Sequence, residues 1–398
     1  MFDFLQPSVP IAKSFMRIPR ISGIICGIWP QRKHSCIKLL FFGFNVFVVA
    51  LGAVGENLYG FMYLNDLVNA LEAFCPGVTK AISLLKMLVF FVFNHRWYMI
   101  LERIRNMLMA EQHCKEKMQI VQKLASIASI FSFILLTSGS FTNMSFNLRP
   151  LVTNVIRHFQ GQDIVNVLPF NIVVPEMFVN YPYYPVTYII LTLSGAMTVF
   201  TFSFVDGFFV CACMYMCGVF RMIQYDIRII FAELKESETS SLAQNQRFRL
   251  QLTAVVKRHN AIIDLCSDFA ANFTLIILMH FLSAALVLCS SILDLMLNSA
   301  SLGLLIYIFY SIAALTQLFL YSIGGSYISE SSAAVADTLY DIEWYKCDVK
   351  TRKMILMMLR RSQKPTTIAV PFFTPSLSAF SSILSTTGSY IALLKTFL

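Results

Sequence analysis

Near its C-terminus the chain reads PSLSAFSSILSTTGSYIALLKTFL, an apolar segment carrying six serines and three threonines. Ser378, Ser382, Ser385 and Ser389 recur at spacings of four, three and four, and the rhythm continues to Leu393 and Thr396. At ~100° per residue these positions fall within about 80° of one another on a helix. Phe380, Ile383, Leu384, Ile391 and Leu394 lie largely off that stripe. Such a stripe has two uses. Small residues let helices approach closely in lipid, with hydroxyls bonding across or back to the backbone. The same row can instead face water in an ion path. The spacing leaves both open.

Other chemistry is sparse. No paired carboxylates, nucleophile–base set, Gly-rich phosphate loop or metal spacing stands out, so neither an enzyme nor a cofactor has support. The ten cysteines sit mostly in apolar or basic segments and imply no disulfide framework. Cys211, Cys213 and Cys217 lack a nearby histidine and read as small, soft packing in a helix.

The elements that must carry the stripe are membrane helices. The 398-residue chain is 57% hydrophobic and 13% charged, where soluble domains average about 25% charged. Seven apolar stretches, roughly 37–64, 68–94, 124–147, 184–219, 267–293, 299–323 and 366–394, each approach or exceed the ~20 residues of a span. The expectation is an all-α membrane protein, one seven-helix domain over 1–398, with no internal repeat. The opening MFDFLQPSVPIAKS does not read as a signal peptide, so the first span is expected to act as its own insertion signal.

Most of the 31 Lys and Arg residues fall in the N-terminal tail and in the links between spans two and three, four and five, and six and seven. Those segments are then cytoplasmic, which puts the N-terminus inside and the C-terminus outside. The net charge of +9 therefore reflects membrane topology, not nucleic-acid binding. This orientation argues against a G-protein-coupled receptor, and span three lacks an acidic–Arg–Tyr end.

Four single residues stand out. Asp206, in span four, is placed near the inner interface with access to headgroups and water, in a structural role. Lys86 is expected to snorkel inward. His280, alone in span five, reads as packed or hydrogen-bonded. Asn143-Met144-Ser145 is a glycosylation sequon whose closeness to span three argues against its use.

The C-terminal region carries a recognisable pattern. DIEWYKCDVKTRKMILMMLRRSQKP leads into FFTPSLSAFSSILSTTGSY, with Trp344, Arg352-Lys353, the run Arg360 to Pro365, Phe373, Ser376, Phe380 and Ser389-Tyr390. FRMIQYDI (Phe220–Ile227) and LTQLFLY (Leu315–Tyr321) add to it. This resembles the insect odorant receptors. The gustatory receptors' Thr-Tyr, five residues, Gln-Phe signature is absent from SYIALLKTF. The link from Arg221 to Asp264 also lacks the long insertion of the family's coreceptor.

The resemblance implies a ligand-tuning subunit of an odorant-gated, non-selective cation channel, assembled with the coreceptor as a heterotetramer. Its partners would be a small volatile apolar or aromatic odorant and membrane lipid, in the plasma membrane of olfactory sensory neurons. A G-protein-coupled-type chemoreceptor and a gustatory-like channel are the alternatives. On the resemblance, the last helix (366–398) lines the pore, with Ser382, Ser385 and Ser389 on its face, the gate at Leu393 and the filter near Thr396 and Phe397. No Asp or Glu follows Asp348, so cation preference must come from elsewhere. A helix from Tyr340 to Gln363, with Tyr340, Trp344, Cys347, Met354 and Met358 on one face, could lie on the membrane surface; the resemblance implies instead that the segment 330–365 anchors subunits through that face. An odorant site needs aromatic walls and few polar groups. In the outer half, Tyr307 and Tyr310 lead the candidates, followed by Phe74, Val78, Ser138, Phe141, Thr142, Phe146, Tyr184 and Tyr188.

Overall fold

Six helices in the described residues are long and apolar enough to cross a bilayer, and they match the first six apolar stretches. The computed structural model describes residues 15–32, 36–236, 242–297 and 303–395. A short α1 (Arg17–Ile25) precedes α2 (Cys36–Met62) and α3 (Leu67–Val92), the first two spans. Next come α4 (Asn94–Met109) and the spans α5 (Lys115–Phe159), α6 (Tyr184–Glu236), α7 (Leu242–Leu297) and α8 (Gly303–Asp341). The chain ends with α9 (Val349–Ser362) and α10 (Leu377–Lys395). With α10 as the seventh, this is the expected all-α, seven-helix membrane architecture.

Three spans far outrun the bilayer. Helices α5, α6 and α7 have 45, 53 and 56 residues, where ~20 suffice to span. Helix α5 runs past its apolar stretch at both ends, whereas the surplus of α6 and α7 lies at the end that carries the basic loops. There Leu108, Val121, Ile227, Leu252, Val335 and Ile355 join the buried core, so this end is a packed body and not a set of loose links. A ring of charges ties it together. Lys117 reaches Glu111 at 2.6 Å and Asp226 at 2.5 Å, and Arg258 pairs with Asp226 at 2.6 Å and with Glu111.

Aromatic packing fills the middle of the bundle. Phe90 stacks on Trp97 at 4.4 Å and meets Phe204 edge-on at 4.8 Å, while Phe273 packs against Trp97, Phe209 and Phe269. Cys211, Cys213 and Cys217 are buried free thiols in the same core.

Two expected elements differ. The proposed continuous helix from Tyr340 to Gln363 is broken. Helix α8 ends at Asp341, a 3-10 turn covers Trp344–Lys346, and Asp348 starts α9 by accepting from Lys350 N at 3.1 Å and Thr351 N at 3.4 Å. A carboxylate that satisfies the first free N–H groups favours a new start over continuation. Tyr340 is consequently 72% exposed, whereas Met358 is buried and Trp344 and Met354 are half-buried. The last span also starts later than the apolar stretch. Residues 366–376 are not helical; Thr366 N donates to Ser332 Oγ at 2.8 Å and Leu377 N to Ser326 Oγ at 3.1 Å. Pro365, Pro371 and Pro375 keep that approach out of a helix, and it turns at Pro371-Phe372, where Val370 and Phe373 bridge.

Candidate functional site

Between α3, α5, α6, α7 and α8 lies a cavity of about 100 Å³. An engineered cavity of roughly 150 Å³ takes benzene, so this space matches one small ring. Its wall on α5 is Leu135, Gly139, Thr142, Asn143 and Phe146, one face of the helix. Helix α8 presents Tyr310, Ala313, Ala314 and Gln317, and α6 presents Gly195, Thr198, Val199 and Phe202. From α7 come His280, Ser283, Ala284 and Val287, and from α3 Pro76, Thr79, Lys80 and Ile82. Gly195 is small because a Cβ there would collide with the Asn143 amide.

The link before α6 supplies the outer closure. Phe170 is buried, stacks on Phe146 at 5.0 Å and joins the cavity wall. Glu72 holds this link by accepting from Asn171 Nδ2 at 3.1 Å and Arg149 at 3.2 Å. Val173 N donates to Gly55 O at 3.2 Å.

Charge reaches the cavity through Lys80, whose ammonium pairs with Glu56 of α2 and sits 3.6 Å from the Phe170 ring centroid. Both Lys80 and Glu56 are almost fully buried. A Cβ at Gly52 would strike Lys80 and Ser194, so that glycine lets α2 close over the pair.

Below the cavity, toward the basic end, lies a second buried pair. Lys86 Nζ and Tyr321 Oη both donate to Asp206 Oδ1 at 2.6 Å. This corrects two expectations: Asp206 is in the core without water access, and Lys86 turns to it instead of snorkelling. The reason is mutual. Each charge is too costly to bury alone, and the pairing removes the need to reach the interface. His280 packs its ring against Tyr321 at 4.8 Å.

The ten candidate ligand residues divide. Thr142, Phe146 and Tyr310 line the cavity. Tyr310 Oη donates to Cys75 O at 2.8 Å and bonds the Thr79 hydroxyl. Tyr307 is buried one turn farther out and is not in the wall. Ser138 and Phe141 border a separate groove with Phe309 and Thr316. Phe74 packs edge-on to Phe61 at 5.0 Å, toward α2, and Val78 is half-buried outside the wall. Tyr184 and Tyr188 act as staples, donating to Val167 O at 2.9 Å and Asn147 O at 2.5 Å. Asn143, the sequon residue, has its amide in the cavity wall. Lys80 and Phe170 are wall residues that the sequence does not single out, and His280, expected to be packed or hydrogen-bonded, also lines the wall. A charged residue mid-span was available as a signal for Lys80 and Glu56.

The stripe on α10 turns away from the protomer. Ser378, Ser382, Ser385 and Ser389 are exposed, while Phe380 and Ile383 pack on the core. The side chain of Leu393 and all of Thr396 and Phe397 lie outside the described residues.

The chain is similar to known proteins along its full length. Residues 66–388 match a family model described as 7tm Odorant receptor. Odorant receptor 22c of Drosophila melanogaster is 55% identical over 405 residues, covering 100% of both chains. Odorant receptor 10a of the same species is 34% identical over 403 residues, covering 99% of this chain and 98% of that one. The insect olfactory receptor OR5 from Machilis hrabei in complex with eugenol has the same fold, with a TM-score of 0.78 at 14% identity over 97% of this chain and 98% of that one.

Proposed function

The chain belongs to the 7tm odorant receptor family, a family of receptors and not of enzymes, and from that premise we propose how it works. It is a multi-pass membrane odorant receptor of the ligand-specific kind. In our reading it is the odorant-tuning subunit of a non-selective cation channel formed with the coreceptor in the plasma membrane of olfactory sensory neurons. The whole chain acts as one unit.

The observation that carries this reading is the mostly apolar cavity of about 100 Å³ among five helices. A pocket with apolar walls and a few placed polar groups suits a small volatile molecule. Its size is that of one small ring, and a substituted ring such as the eugenol held by the Machilis receptor would need the walls to yield. Tyr310, Phe146 and Thr142 would touch the ligand directly.

Helix α10 would supply one wall of a shared pore. Its serines face outward from the protomer, where other subunits would close the ring. Leu393 would form the gate and Thr396 with Phe397 the outer filter, and opening would be rewetting of that constriction. The exposed Tyr340, Tyr345 and Met357 would meet a neighbouring subunit at the cytoplasmic end, while Trp344, Met354 and Met358 brace the anchor from within.

The test is membrane current from cells expressing this chain with the coreceptor, during an odorant panel, with G-protein signalling blocked. A fast odorant-dependent cation current absent from coreceptor-only cells is expected. Silence across the panel, with normal surface abundance, would overturn the reading.

A further inference from the structure

We propose that His280 is a hydrogen-bonding anchor at the inner end of the cavity, tuning this chain to one-ring odorants that carry a hydroxyl or carbonyl oxygen. The inference rests on the cavity being the odorant site. It goes beyond that reading because it names a polar handle where shape alone would otherwise select.

The wall's hydroxyls are already engaged. Thr79 and Tyr310 donate to Cys75 O, Thr142 to Ser138 O and Phe309 O, Thr198 to Ser194 O, and Ser283 to His280 O. Lys80 is paired with Glu56, and the amides of Asn143 and Gln317 are half-buried. His280 differs from all of these. It is 3% exposed, its ring forms part of the wall, and its Nε2 is buried with no hydrogen-bond partner among the described residues. Buried polar atoms are almost always paired, so an orphan at a cavity wall marks a place where a guest completes the bond.

The neighbouring polar groups are engaged elsewhere. Tyr321 lies against the imidazole at 4.8 Å, yet its hydroxyl is committed to Asp206. Lys86 also binds Asp206, with its ammonium 4.0 Å from the Phe202 ring centroid. Phe202 packs beside His280 with centroids 6.4 Å apart and contributes to the same inner wall. An imidazole nitrogen donates to or accepts from a hydroxyl, and in its N–H form donates to a carbonyl. The apolar middle of the cavity would hold the ring, with Ala313, Ala314 and Val199 at its sides. The rival occupant is a buried water, since Asp206 Oδ2 is also buried without a partner.

Two near-isosteric pairs separate these cases: phenol against toluene, and acetophenone against α-methylstyrene. Each is applied to cells expressing the full chain with the coreceptor. The oxygen-bearing member of at least one pair should reach half-maximal current at a concentration about tenfold lower than its partner. His280→Phe should erase that preference while the apolar members still evoke current; His280→Gln, which keeps a hydrogen-bonding group, should retain part of it. If the phenylalanine variant does not reach the surface, His280→Leu makes the same comparison. Equal responses within both pairs would assign the orphan to a water and overturn the proposal. So would a preference that survives in the apolar variant, or silence to all four probes while other odorants work. Silence to every odorant would instead remove the odorant reading itself.

Discussion

Lys86 of α3 and Asp206 of α6 form a 2.6 Å ion pair in the centre of the bundle, with side chains 0% and 2% exposed. Removing one partner strands the other charge, at a cost of about 3–5 kcal/mol. Lys86→Met should therefore lower surface abundance and detergent melting temperature sharply. Lys86→Met with Asp206→Asn should recover much of the loss, because Tyr321 can still donate to the amide oxygen. Additive losses in the double variant would show that the pair carries no coupling.

The tyrosines at the start of α6 should behave as staples. Tyr184 and Tyr188 donate to Val167 O and Asn147 O, outside the cavity wall. Changing either to phenylalanine loses one half-buried hydrogen bond, about 1 kcal/mol. Melting temperature should fall modestly while the rank order of odorants stays fixed. A reordered ligand profile would return them to the binding site.

Ala313 faces the cavity between Tyr310 and Gln317. Ala313→Phe places a ring in a space of about 100 Å³. Occupying empty volume avoids most of the ~1–3 kcal/mol that overpacking a filled core costs. Assembly and surface level should persist while responses to one-ring odorants fall at least tenfold. An unchanged concentration–response curve would place the ligand elsewhere.

What the sequence made legible follows from what its patterns encode. Apolar runs revealed seven spans, because each must satisfy lipid along its own length. They hid how far α5, α6 and α7 continue beyond them, because polar residues end the apolar run without ending the helix. Residue type selected Ser138, Phe141, Thr142 and Phe146 together, but the helical face keeps Thr142 and Phe146 and adds Gly139. Lys86 and Asp206 each stood out, yet they are 120 positions apart and nothing local predicts their meeting. Phe170 sits in a segment with no periodicity, so its role in closing the cavity needed coordinates.

Acid should loosen the cytoplasmic body through Glu111. Burial pushes its carboxyl up, but the hydrogen bond from Lys117 and the charge of Arg258 outweigh that and hold it below the usual carboxylate range. A depressed folded value means the contribution is present above the ordinary carboxylate value near 4.3 and is lost as pH falls through the folded value. Glu111→Gln should thus cost on the order of 1 kcal/mol at pH 7, given partial water access, and flatten the acid limb of a melting-temperature profile. A steeper acid limb in the variant would contradict the sign.

The serine stripe can be tested without knowing the odorant's identity in advance. Ser382 and Ser385 are exposed on α10, whereas Ile383 packs toward the core. In a hydrated pore, Ser382→Cys and Ser385→Cys should react with a charged, membrane-impermeant thiol reagent, faster when odorant opens the channel. Adding a fixed positive charge to a cation path should then cut the current, since the last span offers no acidic residue to offset it. Ile383→Cys should stay unreactive. If all three cysteines resist the reagent in the open channel, the hydroxyls serve helix contact in lipid instead. Equal reaction at all three would mean α10 turns in the assembly, and the stripe would lose its claim to a single wet face.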